Sequence, residues 1–345
     1  MIVTYIRSSS YNQWSYCQMS YFMTYVLGYY GDSNKKAELG TICHKVFEVL
    51  AAQKKDLQQA SKSRKFIKIK DDGIGEVKIN ISDFLSQGNV ETLLDKSFEY
   101  YSSNSIHEWE NADKDKCLEL IIGALSYNNG QFDPRLRTIV DPEAHFDIPI
   151  EADWAKFSHN INGEKVEGTL AIKGTIDLVT QIDDDTIEVI DWKTGKRIDW
   201  STGEEKDFKK LMEDPQLLLY HYAISKLYPS YNQAIMTIFF IKDEPVGNRA
   251  AISLPFEEKH NDLFLEMLKD RYYEILKNKN PVPIDRWRSN FKCKKLCHFY
   301  KNKWPGSEKT MCHYVEDSIK LHGIENTVKS CTKPGFSVGY YSAPG

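Results

Sequence analysis

The stretch from Gly174 to Gly195 constrains this chain more than any other. It holds two β-rich runs around the triplet Asp183, Asp184 and Asp185, and the residues Asp177 and Asp191 lie fourteen positions apart with that triplet at their midpoint. A hairpin folded there sets the two carboxylates opposite each other on one sheet face, their Cβ atoms roughly 4.5–5.5 Å apart. Lys193 follows Asp191 by two and so joins that face. Two acids and a lysine converging in this way destabilise the sheet unless something binds between them, and a divalent metal is the obvious candidate.

The remaining signals place the hairpin in a large globular protein. A chain of 345 residues, 41% hydrophobic and 12% aromatic, has ample material for a packed core in one large domain or two ordinary ones. The net charge of −4 argues against a protein that coats nucleic acid indiscriminately, although basic residues gather in Lys54 to Lys70 and in Arg286 to Lys303. No apolar run approaches the roughly 20 residues of a membrane span, and the N-terminus lacks the order of a secretory signal, which predicts a cytoplasmic protein without membrane attachment. Seven unevenly spread cysteines then suggest metal ligands or buried thiols before disulfides, with Cys43 and Cys117 reading as small buried hydrophobes.

Periodicity places these residues on elements. Ser8 to Ser10 read as a helix cap, followed by an aromatic stripe of Trp14, Cys17, Tyr21 and Tyr25 at helical spacing. A second helix is expected from about Ala37 to Ala52, with Ile42, Val46, Val49 and Leu50 inward, His44 and Glu48 together on another face, and Gly40 permitting a close approach. Residues 54–140 read as a helical insertion, with helices near Ser82–Leu94 and Asp113–Tyr127. Strands follow over Phe146–Ile150, Gly168–Asp177, Thr186–Trp192 and Ala234–Ile241. The third of these is apolar on both faces, the mark of a central strand. Asp214-Pro215 starts a helix running to Leu227, and another spans about Lys259 to Lys277. These readings divide the chain into N-terminal helices (1–53), the insertion (54–140), a central core (141–280), a cysteine-rich region (281–331) and a tail (332–345). No phosphate-binding GxxxxGK[ST] loop is present, so no motor domain is expected.

Five short pieces occur in one order: Cys17-Gln-Met-Ser-Tyr21, Gly40-Thr-Ile-Cys-His44, Gly174-Thr-Ile-Asp177, Asp191-Trp-Lys193 and Gln216-Leu-Leu-Leu-Tyr220. Together they resemble the RecB-type nucleases of the PD-(D/E)XK superfamily, and in layout the CRISPR-associated and phage exonucleases that carry an iron–sulfur cluster. The resemblance implies an α/β fold, a restriction-endonuclease-like mixed sheet flanked by helices, with a cysteine-rich staple joining the chain ends. It implies a metal-dependent DNA nuclease, most of all an exonuclease on single strands or free ends. The rival is a binding or scaffolding subunit that keeps the fold without cutting. His44, Asp177, Asp191 and the backbone carbonyl of Trp192 would hold Mg²⁺ or Mn²⁺. Lys193 would orient or activate water, and Gln216 and Tyr220 would contact the substrate strand or brace the site.

The same resemblance implies a four-iron four-sulfur cluster on Cys17, Cys293, Cys297 and Cys312. Three residues rather than two separate Cys293 from Cys297, and fourteen precede Cys312, so zinc is the competing metal, with His298 and His313 able to enter its shell and Cys331 able to replace Cys312. Lysines and aromatics from Arg286 to Trp304 read equally as a strand contact or as a solvated loop. A helicase or recombination partner, and a phage-encoded enzyme acting in the host cytoplasm, follow as further implications.

Overall fold

The computed structural model describes the whole chain except residues 62, 162–163, 198–203, 243–249, 286–290 and 337–345. In chain order its elements are β1 (Tyr5–Ile6), α1 (Ser8–Tyr16), α2 (Gln18–Tyr21), α3 (Lys35–Gln58), β2 (Phe66–Asp71), β3 (Gly75–Asn80), α4 (Gln87–Ser103), α5 (Asn111–Ser126), β4 (Thr138–Pro149), β5 (Lys156–Ile161), β6 (Glu164–Thr169), β7 (Ala171–Gln181), β8 (Thr186–Lys193), α6 (Phe208–Met212), α7 (Pro215–Leu227), β9 (Gln233–Phe240), β10 (Ala251–Phe256), α8 (Lys259–Lys277), α9 (His298–Lys301) and α10 (Met311–Cys331). They gather into two compact units. One comprises Met1–Asp32, Phe146–Gly174 and Asn261–Gly345, the other Ser33–His145 and Thr175–His260.

The second unit is built on a mixed sheet. Its strands run β7-β8-β9-β10, with β4 also paired to β7. The β7–β8 pair is antiparallel, β8–β9 parallel and β9–β10 antiparallel. Strand β8, expected to be central, is buried at every position from Thr186 to Trp192. Helix α3 lays Ile42, Val46, Phe47 and Leu50 into the core, and the Phe47 ring stacks on Trp192 of β8 at 4.7 Å between centroids. Asn34 caps this helix, its side chain accepting from the Ala37 amide. The helix runs on to Gln58 rather than ending near Ala52, because Gln53 is buried and paired with Asn89 of α4 and so extends the inward face.

Residues 54–140 contain the expected helices as α4 and α5, and also an antiparallel hairpin, β2–β3, that the helical reading of this stretch missed. Its apolar residues alternate as Ile67, Ile69, Val77 and Ile79 among lysines, a period of two that the charge obscures.

In the first unit, β1 pairs in parallel with the opening residues of β7, and β5 and β6 form a hairpin. The strand expected over Gly168–Asp177 is therefore two, β6 ending at Thr169 and β7 starting at Ala171. Arg7 rather than a serine is the N-cap of α1; Ser10 instead accepts from the Arg7 amide and donates to its carbonyl. The aromatic stripe is not one helix either. Cys17 is extended (φ −161°, ψ 104°) and divides α1 from α2, while Trp14 still meets Tyr21 edge-on at 5.1 Å. Helices α8 and α10 complete the unit, the latter broken by Gly323 at φ 77°.

Candidate active site

The residues singled out from the hairpin and its companions all belong to the second unit. In the β7–β8 ladder Leu178 faces Ile190, Val179 faces Val189 and Thr180 faces Glu188, so the next pair in that register is Asp177 with Asp191. The Ile182 amide donates to the Thr186 carbonyl, closing the turn at the acidic triplet. His44, one turn along α3 from Gly40, brings its Nδ1 to 3.4 Å from Asp177 Oδ2, and the same oxygen accepts from the Trp192 amide at 3.0 Å. Gly40 faces the end of β8: a Cβ there would come within 2.6 Å of Thr194 Oγ1, so a larger residue would require the Thr194 hydroxyl to turn away.

Lys193 Nζ stands 2.6 Å from Asp191 Oδ2 and donates to Gln216 Oε1 at 3.3 Å. Gln216, in the first turn of α7, donates in turn to Asp191 Oδ1 at 3.0 Å and to the Tyr220 hydroxyl at 2.9 Å. The Asp214 cap fixes that turn by accepting from the Gln216 amide. Two sets of polar contacts thus stand side by side, one joining His44 to Asp177 and the other joining Lys193, Asp191, Gln216 and Tyr220.

Burial and charge set the protonation states. Asp191 is 1% exposed, and burial, opposed by Lys193 and reinforced by Asp177, pushes its carboxyl up to about 6. Burial also works on Asp177, but the His44 ring, Lys193 and the Trp192 amide outweigh it and hold that carboxyl low. For His44 desolvation opposes the charged ring, yet Asp177 and then Asp191 overcome it and its pKa rises. Lys193 behaves likewise, desolvation being outweighed by the two aspartates. Tyr220 is raised well above a free phenol by burial and by the same carboxylates.

A hard cation fits this donor set. Asp177 and Asp191 supply hard carboxylate oxygens, and the buried Asp191 Oδ2 has the Lys193 ammonium 2.6 Å away as its charge partner, a place a cation could share. As the side chains stand, no three His, Cys, Asp or Glu residues among those described are gathered tightly enough to hold a metal ion. The imidazole is instead engaged by Asp177, and Asp191 by Lys193 and Gln216.

Beside this set, sequence reasoning missed an acidic cluster. Glu48, one turn beyond His44, is 2.5 Å from Lys45 Nζ, and Lys45 also reaches Asp71 Oδ2 at 3.1 Å. Burial and a hydrogen bond to the carboxyl of Glu143 push Glu48 up to about 8, against the pull of Lys45. Glu143 adopts φ 54° in the middle of β4, a left-handed conformation that costs a non-glycine residue of order 1 kcal/mol. The i, i+4 spacing of His44 and Glu48 was legible; the partner 95 positions away was not.

In the first unit, Cys17, Cys293, Cys297 and Cys312 all line one cavity of about 430 Å³, together with Tyr16, Tyr30 and His298. Cys17 Sγ accepts the amides of Ser20 and Ile284, each at 3.4 Å. Tyr16 is pushed up to about 12 by burial and then by Cys293, Cys17 and Cys297. His298 is turned to Asp32, His313 to Thr310, and Cys331 is buried near the end of α10. The basic and aromatic run from Arg286 begins outside the described residues, which resume at Phe291.

Fold and site together define an α/β protein whose mixed sheet presents an acid pair and a lysine to a histidine-bearing helix. The chain belongs to the PD-(D/E)XK nuclease superfamily, whose family model matches residues 8–300. No curated protein matches it. Among solved structures, one described as "Crystal structure of SSO0001" is 15% identical, with 72% of this chain and 94% of that one covered and a TM-score of 0.24. Among the described residues no helix is long and apolar enough to cross a membrane.

Proposed function

We propose that this chain is a metal-dependent DNA exonuclease acting on single strands or free ends, with Mg²⁺ or Mn²⁺ held by His44, Asp177, Asp191 and the Trp192 backbone carbonyl. The observation that carries the reading is the Lys193 ammonium placed between Asp191 and Gln216 while His44 engages Asp177. When bound, such a cation stabilises charge on the phosphate oxygens and makes water nucleophilic at neutral pH. Imidazole in the set tilts preference towards Mn²⁺ relative to an all-oxygen site. Lys193 orients the attacking water or neutralises developing charge, Gln216 holds Lys193 and Asp191 in register, and Tyr220 braces Gln216 or meets the substrate strand.

The cavity in the first unit takes a four-iron four-sulfur cluster on Cys17, Cys293, Cys297 and Cys312, with zinc as the alternative metal. Supporting this are the four cysteines among the residues that line one cavity, and the Ser20 and Ile284 amides that donate to Cys17 Sγ. The test is digestion of single-stranded DNA labelled at either end, with Mn²⁺, Mg²⁺ or EDTA, by wild type and Asp191→Ala. Metal-dependent shortening from one end by wild type alone is expected, and equal traces from both proteins would refute the reading.

A further inference from the structure

The hairpin β2–β3 turns two unlike faces to its surroundings. Ile67 and Val77 are buried, with Ile69 packed partly against the same core, while Phe66, Lys68 and Lys70 of β2 and Glu76, Lys78 and Asn80 of β3 are exposed. In register, Lys68 stands directly opposite Lys78 and Lys70 opposite Glu76. Two ammonium groups facing each other across an antiparallel pair destabilise it. Neither Lys68 nor Lys78 has an ion-pair partner among the described residues, and Lys65, at the mouth of the ribbon, is exposed as well. Phe66 adds an aromatic surface 40% exposed, with Lys78 Nζ 4.4 Å from its ring centroid.

This ribbon is tied to the candidate site. Asp71, the last residue of β2, accepts the amides of Gly73 and Ile74 with one oxygen and Lys45 Nζ with the other. Lys45 adjoins His44 on α3, and ribbon, helix and site all lie within the second unit. A repulsive lysine pair beside an exposed phenyl ring is complementary to a chain that carries regularly spaced anions and flat faces. Lysines offset the phosphates, and the ring stacks on a base.

We infer that the outward face of β2–β3 is a track for single-stranded DNA, with Lys68 and Lys78 on its phosphates and Phe66 against a base. The inference rests on the proposed substrate and adds the route by which the strand is held. It concerns binding alone, so it is tested in EDTA, where no cleavage intervenes. Fluorescence anisotropy of a labelled oligothymidylate is followed through a salt series for wild type, for the double variant Lys68→Gln/Lys78→Gln, and for Phe66→Ala.

In the double variant the slope of log affinity against log salt becomes shallower by about 1.4, two contacts at about 0.7 each, while Phe66→Ala loses affinity several-fold at unchanged slope. An unchanged slope and affinity in the double variant would overturn the track, as would binding of a polyglutamate peptide in place of DNA. The two readings fail separately. Salt-sensitive binding lost in the double variant, without cleavage in Mn²⁺, sinks the nuclease and keeps the track; Mn²⁺-dependent cleavage with an unaltered slope does the reverse.

Discussion

Replacing Glu48 by glutamine should make the protein more stable in alkali while changing little in acid. The Glu48 carboxyl is raised from an ordinary 4.5 to about 8 by burial and by its hydrogen bond to Glu143, with Lys45 opposing. A carboxyl raised in the folded state binds a proton that the unfolded chain releases. Its contribution is therefore complete below pH 4.5 and is lost as pH climbs through about 8. At 1.36 kcal/mol per pKa unit the full loss approaches 5 kcal/mol, and solvent screening of a side chain 20% exposed lowers the expected figure to about 2–4 kcal/mol.

Glutamine stands in for the protonated acid, and Lys45 keeps Asp71 as its partner. Urea unfolding followed by tryptophan fluorescence in EDTA from pH 5 to pH 9 measures the difference. The variant should lie within about 1 kcal/mol of wild type at pH 5 and exceed it by about 2–4 kcal/mol at pH 9. His44, also raised, loses stability in the same direction in both proteins and cancels from the comparison. Asp71, held low, titrates below this window. A difference that stays flat across the range, or a variant weaker at pH 9, would refute the argument that Glu48 is held protonated.

Phe47→Ala should cost about 3–5 kcal/mol, since it empties a fully buried site stacked on Trp192, and should weaken cleavage by loosening α3 under His44; thermal melts and kcat/KM report the two effects. Gln216→Leu should lower kcat by 10-fold or more, on the order of 1.4 kcal/mol, with little change in Tm, because it frees Lys193 from its fixed place; equal kcat would remove Gln216 from the site. Lys78→Glu should raise Tm slightly, by replacing a like-charge cross-strand pair with an opposite-charge one worth about 0.2–1 kcal/mol, while weakening single-stranded DNA binding; a fall in Tm would contradict the register. Cys17→Ser should abolish the brown charge-transfer absorbance expected of anaerobically purified protein; undiminished colour would exclude Cys17 as a ligand.

What could be read from the sequence was what is local or strongly patterned. The Asp177–Asp191 register follows from symmetry about the acidic triplet, and β8, α7 with its Asp214 cap, β9 and α8 follow from apolar runs and end signals. The link between Lys193 and Gln216 needed a turn of α7 laid against β8, which resemblance suggested and periodicity alone does not supply. The β2–β3 hairpin escaped because its outward lysines mask the alternation beneath, and α1 was misread as continuous because the spacing of Trp14, Cys17 and Tyr21 carries no mark of the extended backbone at Cys17. Glu143 pairs with Glu48 through a left-handed residue inside a strand, and no local preference of glutamate announces that conformation.

The short turn between β7 and β8 has a consequence for how the protein comes into being. A strand pair separated by four residues closes at small entropic cost, whereas the parallel β8–β9 pairing must wait for the crossover that carries α6 and α7. A chain emerging from the ribosome can therefore zip Asp177 against Asp191 before β9 exists, yet cannot draw Gln216 to them until α7 has been synthesised. The acid pair is thus an early, mutually repelling landmark of folding, and its relief arrives in stages as the rest of the polypeptide docks around it.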